Sequence, residues 1–239
     1  MIRRVLQLLI GLMLYGAGCA LTIEAGLGVD PWTVFAQGIS LHTGIGIGWV
    51  TNIIGFGVLL LWIPLRQKPG IGTIANILLV GTSMQATLFL VPAPRGLGYQ
   101  VLVFVAGLLM VAVASGLYIG ARFGPGPRDG LMTGIRARFG WPIWLARGTV
   151  EITVLVLGWI MGGTVGVGTI AFAFLIGPLV HIALPLLDTK RAPSSLRDGT
   201  RSALPDDGGA DAPSADTARL APSDVGVSAP GTRARQNQA

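Results

Sequence analysis

The chain has 239 residues, of which 51% are apolar and only 12% charged, with a net charge of +6. A soluble domain usually carries about 25% charged residues, so a mean hydropathy of +0.67 and long unbroken apolar runs exclude that class and indicate membrane spans. The basic residues stand in short loops between those runs, where they orient a protein in a bilayer, so the positive charge does not imply a nucleic-acid partner.

A first span is predicted over about residues 5–24 and holds the single cysteine, Cys19, which allows neither an intramolecular disulfide nor a cysteine-rich metal site. After a Gly/Pro break, a short amphipathic helix is predicted over about 31–42, opened by Pro31, a residue pre-set for the first helical turn. Spans over about 47–64 and 70–91 follow. The same order then returns, with a span over 101–120, a short helix over 127–138 opened by Pro127, and spans over 143–161 and 166–187. A short helix rising about 1.5 Å per residue cannot cross about 30 Å of hydrocarbon, so both are expected at the interface or re-entering partway. Beyond residue 188 Ala, Pro, Ser, Asp and Gly dominate and aromatic residues vanish, which predicts a disordered cytoplasmic tail over 189–239.

The recurrence is a duplication. Shifted by 96 residues, Gly11–Gly81 aligns with Gly107–Gly177 without a gap, with 21 identities in 71 pairs. Gly28, Pro31 and Gly38 fall on Gly124, Pro127 and Gly134, and Gly70-Ile-Gly-Thr-Ile-Ala75 falls on Gly166-Val-Gly-Thr-Ile-Ala171. Shared glycines and prolines weigh most, because they mark places where a side chain would not fit or a helix must begin.

The positive-inside rule sets the number of crossings. With six spans and a cytoplasmic N-terminus, Arg3, Arg4, Arg66, Lys68, Arg122, Arg128, Arg136, Arg138, Arg147, Lys190 and Arg191 fall on or toward the inner face and only Arg95 outside. Three spans per unit turn the second unit upside down relative to the first, an arrangement common among secondary transporters. The predicted fold is therefore an all-α membrane protein. Its six transmembrane helices form two inverted three-helix repeats, residues 1–96 and 97–188, each with a short interfacial or re-entrant helix.

Three stretches resemble the YczE/YyaS/YitT family of bacterial membrane proteins: Gly26-Leu-Gly-Val-Asp-Pro-Trp32, Gly70-Ile-Gly-Thr73, and above all Gly124-Pro-Gly-Pro-Arg-Asp-Gly-Leu-Met-Thr-Gly134. Arg147, Glu151, Gly162-Gly-Thr-Val-Gly-Val-Gly-Thr169 and Gly177-Pro-Leu-Val-His181 resemble its actinobacterial YczE-like branch. The resemblance covers about residues 5–187 and implies a multi-pass protein of the bacterial cytoplasmic membrane, with no particular substrate.

Few residues in the spans carry chemistry. Glu151 falls near the middle of the fifth span, where a charge costs at least about 2.5 kcal/mol, and Arg147 lies one helical turn earlier on the same face. The two can bind a cation or proton and gate a pathway, or they can be an ion pair that locks the bundle. Arg128 and Asp129 open the second short helix, where free N–H groups attract anions; they suit a phosphate, carboxylate or lipid head group, or else a cap and a leaflet anchor. Asp30 and Trp32 hold the equivalent place in the first unit, expected on the outer face, with Trp32 as an interfacial anchor. Asn52, Asn76, Gln85 and His181 are candidate pathway residues, Gln85 and His181 being repeat mates, although polar side chains in spans also serve as interhelical hydrogen-bonding groups.

No metal-ligand cluster, nucleotide loop or Ser/His/Asp set is present in the sequence, so no cofactor, metal or enzymatic activity is expected. Two function classes fit: a small-solute or ion permease with its pathway between the repeats, or a non-transporting scaffold, sensor or accessory subunit. The lipid bilayer is the expected surrounding, and a homodimer or an unknown protein partner is compatible with either class.

Overall fold

A computed structural model of the chain describes residues 1–93 and 95–187; the tail expected over 189–239 lies outside them. The described residues form eight helices and no strand: α1 (Ile2–Ala25), α2 (Pro31–Thr43), α3 (Ile47–Leu65), α4 (Ile71–Leu90), α5 (Leu97–Gly120), α6 (Pro127–Phe139), α7 (Ile143–Ile160) and α8 (Val167–Leu187). Six of them are long and apolar enough to cross a membrane, while α2 and α6 are 13 residues each, about 20 Å. Both short helices start on the expected proline and end on a left-handed glycine, Gly44 or Gly140. Their bounds are 96 residues apart at each end (127 − 31 and 139 − 43).

The centre of the protein is the pair α1 and α5, which pack along one another at close range. A Cβ at Gly18 would lie 2.9 Å from the Gly107 carbonyl oxygen, and one at Gly107 would lie 2.8 Å from that of Gly18. Only glycine lets two backbones approach this closely in lipid. On either side α4 packs on α1 and α8 on α5. Each short helix crosses to the opposite half: α2 packs mainly on α7, and α6 mainly on α3.

Two turns pin this exchange. The Gly72 N–H donates to the Phe123 carbonyl at 3.0 Å, and the Gly168 N–H donates to the Leu27 carbonyl at 2.7 Å. The hydroxyls of Thr73 and Thr169 accept from the backbone of Gly70 and Gly166, tightening the start of α4 and α8. The Gly-x-Gly-Thr sequence thus seats each span against the break that precedes the other half's short helix. The Trp62 Nε1–H fixes the start of α6 by donating to the Pro127 carbonyl at 3.1 Å. Trp62→Phe should lower stability by about 1 kcal/mol, the usual net worth of such a bond. Thermal unfolding of the purified variant checks this, and an unchanged midpoint would show that water replaces the bond freely.

The halves are not equal in packing. α3 lies along α4 through Gly48 and Gly81, whereas α7 and α8 diverge. Gln85 is at that first seam, its Oε1 accepting the Gly48 N–H at 3.0 Å. At the positions 96 residues later, Trp144 (against Gly48) is 74% exposed and Gly177 (against Gly81) faces open space.

Candidate functional site

The short helices bring their N-termini together. Asp30 caps α2, accepting the Thr33 N–H at 3.3 Å and also the Thr33 hydroxyl. Arg128, in the first turn of α6, reaches across the chain so that its Nη1 lies 3.3 Å from Asp30 Oδ1, and its guanidinium sits 5.0 Å from the centre of the Trp32 ring. Asp30 is 4% exposed and the Arg128 side chain 25%. This corrects the expectation that Asp30 and Trp32 lie on the outer face and Arg128 on the inner one. Trp32 is no interfacial anchor either: it is buried with Val58, Leu131 and Val154, residues well inside α3, α6 and α7. Counting basic residues by loop missed this because the partner of Arg128 is 98 positions away in the chain.

Around this contact lies a cavity of about 450 Å³, within the range of small-molecule sites. Asp30, Trp32, Arg128, Asp129, Asn76, Arg147 and Glu151 line it together with Tyr15, Thr51, Ser115 and Tyr118. The Tyr118 hydroxyl donates to Asp129 Oδ2 at 3.0 Å, and the rings of Tyr15 and Tyr118 meet edge to face at 6.0 Å. Arg147 Nε donates to Glu151 Oε1 at 2.9 Å, with the side chains 54% and 31% exposed within the protein. Phe172, Ala173, Ile176 and Val180 of α8 give the cavity apolar lining.

The charges in this space are unequal. Three carboxylates face two guanidinium groups, and among the described residues Asp129 has no salt bridge. The partial positive end of α6 offsets a carboxylate in its first turn by about 0.3–1 kcal/mol. The Tyr118 hydroxyl and the charge of the neighbouring Arg128 offset it further, although it has no salt bridge of its own among the described residues.

Three of the residues expected along a pathway lie elsewhere. Gln85 is taken up by the α3–α4 seam; Asn52 Nδ2 in the same seam donates to Thr82 Oγ1 at 3.2 Å; and His181 is exposed on α8 away from the cavity. Tyr15, Tyr118 and Ser115 were not singled out from the sequence. For Tyr15 and Tyr118 the available signal is a hydroxyl-bearing ring within an apolar span, which needs a polar partner once buried.

A family of unknown function, DUF6198, matches the chain over residues 2–185. An uncharacterized protein of Haemophilus influenzae is 38% identical over 180 residues, covering 75% of this chain and 83% of its own length. The uncharacterized membrane protein YczE of Bacillus subtilis is 35% identical over 179 residues, 73% of this chain and 82% of its own. The uncharacterized protein YyaS of the same organism is 28% identical over 183 residues, 75% and 91% of the two chains. No solved structure matches the chain. With a family match across nearly all the described residues and a membrane protein among its relatives, the chain belongs to the DUF6198 family, the group of YczE and YyaS, and is a membrane protein in contact with the lipid bilayer.

Proposed function

We propose that the chain is a non-enzymatic small-solute or ion permease of the bacterial inner membrane, with both termini cytoplasmic. Its pathway runs through the cavity between two inverted three-span repeats, 1–96 and 97–188, and α2 and α6 are the re-entrant helices that enter from opposite faces. The observation that carries this reading is the contact of Asp30 with Arg128 at 3.3 Å. Two helices too short to span, one from each half, turn their N-termini toward a shared polar cavity. Broken helices ending at a midplane site between inverted repeats are a recurring solution for binding a solute.

The reciprocal contacts support the inversion. Gly72 on Phe123 and Gly168 on Leu27 are the same pair of positions exchanged between the copies (72 + 96 = 168; 27 + 96 = 123). Glu151 and Arg147 at the rim suit a gate that opens when a solute or proton takes over one partner.

A thermal-shift screen of the purified chain against small cations, amino acids and organic anions, run beside Glu151→Gln, tests the reading. A solute at about 100 times its dissociation constant adds about 2.7 kcal/mol, and the variant should lose that shift while keeping its own midpoint near that of the parent. A screen in which only lipid registers would favour the scaffold or accessory-subunit reading, in which the ion pair is structural.

A further inference from the structure

The gap between α7 and α8, together with the unbalanced charge beyond it, identifies the kind of solute. In the first copy α3 and α4 close on one another because Gly48 and Gly81 let the backbones meet, and Gln85 ties the seam. The second copy cannot close in the same way. Trp144 replaces Gly48, Gly177 has nothing within 4 Å of where a Cβ would be, and α8 carries prolines at 178 and 185 that weaken its helix. The cavity reaches this gap, since residues of α7 and of α8 both line it. Around the gap the outward faces of both helices are apolar, with Ile152, Val156 and Ile160 on α7 and Ile170, Phe174 and Leu175 on α8. They are the surfaces that meet lipid tails.

The cavity wall combines the charged pair Arg147 and Glu151 of α7, the apolar Phe172, Ile176 and Val180 of α8, and Tyr15, Tyr118 and Asp129. The guanidinium groups there are already occupied, Arg128 by Asp30 and the face of Trp32, and Arg147 by Glu151. Asp129 accepts the Tyr118 hydroxyl, interacts electrostatically with the neighbouring Arg128, and has no salt bridge among the described residues. A cavity in which three carboxylates face two guanidinium groups that are already paired suits a cationic nitrogen, whose charge Asp129 can balance.

We propose that this cavity takes a cationic amphiphile, an amine or quaternary ammonium with an apolar tail, which enters from the bilayer between α7 and α8 and sets its nitrogen against Asp129. The inference rests on the permease reading of the same cavity and adds to it the class of solute and the route. It also moves the recognition of charge from Arg128, the residue that most suggests an anion, to its neighbour.

Four probes on the full chain in lipid nanodiscs separate charge from tail: hexyltrimethylammonium, tetramethylammonium, hexanesulfonate and hexanol. Hexyltrimethylammonium should raise the unfolding midpoint at concentrations about tenfold or more below those tetramethylammonium needs, because the tail meets the α8 wall. Hexanesulfonate and hexanol should leave the midpoint unchanged. Asp129→Asn should weaken the response on the order of tenfold, and Asp129→Glu should keep it. The four-probe comparison on the parent chain stands alone if Asp129→Asn does not fold. Equal potency of the two ammonium ions would overturn the lateral, amphiphilic part of the proposal. A response to hexanesulfonate instead would overturn the cationic part and leave the cavity a solute site. No response to any probe, with none in the wider solute screen, would remove this inference and the permease reading together.

Discussion

Alanine at Gly81 should lower stability by about 1–3 kcal/mol, the usual cost of overpacking a close contact, while alanine at its repeat mate Gly177 should leave it unchanged or raise it slightly. A Cβ at Gly81 would lie 2.2 Å from the Gly48 carbonyl oxygen and 2.1 Å from Asn52 Oδ1. The amide of Asn52 can swing aside, but the carbonyl belongs to α3 itself, so the two helices must separate. At Gly177 nothing lies within 4 Å, and alanine there removes the helix penalty of glycine, about 1 kcal/mol at most. Thermal unfolding of both variants in the same detergent reads the contrast. Equal losses at the two positions would mean that α7 and α8 close on one another as α3 and α4 do.

A second large effect is expected where the short helices meet. Asp30→Asn leaves Arg128 without its carboxylate and should destabilise by about 3 kcal/mol, the low end for breaking a buried pair because the Arg128 side chain is 25% exposed. Arg128→Met, which strands Asp30 at 4% exposure, should cost at least as much. The double variant should recover most of the loss, since neither charge is then left alone; asparagine also keeps a capping oxygen for the Thr33 N–H. Additive losses in this double-mutant cycle would show that the two side chains act independently and that the contact does not hold the halves together.

Much of the architecture was readable in the chain because it is written in local terms. Apolar runs gave the six long helices, Pro31 and Pro127 gave the starts of the short ones, and the 96-residue offset anticipated matching bounds for α2 and α6. What pattern could not give is depth. A basic residue reads as a marker of the inner face only if it stays in a loop, and Arg128 instead reaches inward to a carboxylate supplied by the other half. Trp32 reads as an anchor at the membrane surface for the same reason, yet it is buried beside Val58, Leu131 and Val154.

Symmetry misled in a second way. Gln85 and His181 are 96 residues apart and align in the sequence, but Gly48 at the first seam aligns with Trp144, and Gln85 accepts a backbone N–H while His181 is exposed. The cavity itself is assembled from residues of all eight helices: Tyr15 from α1, Asp30 and Trp32 at α2, Thr51 from α3, Asn76 from α4, Tyr118 from α5, Asp129 from α6, Glu151 from α7 and Phe172 from α8. Arg147 and Glu151 were legible because their spacing places them on one helix face, and that local relation holds at 2.9 Å.

In the permease reading the two halves lie upside down in the membrane, with one short helix entering from each side. Single cysteines at Thr43 and at Phe139, exposed positions at the ends of α2 and α6 and 96 residues apart (43 + 96 = 139), can be placed in a background where the buried Cys19 is serine. A membrane-impermeant maleimide added to intact cells should label Thr43→Cys and should reach Phe139→Cys only after the membrane is opened. Labelling of both from the same side would contradict the inversion and, with it, a pathway built between the repeats.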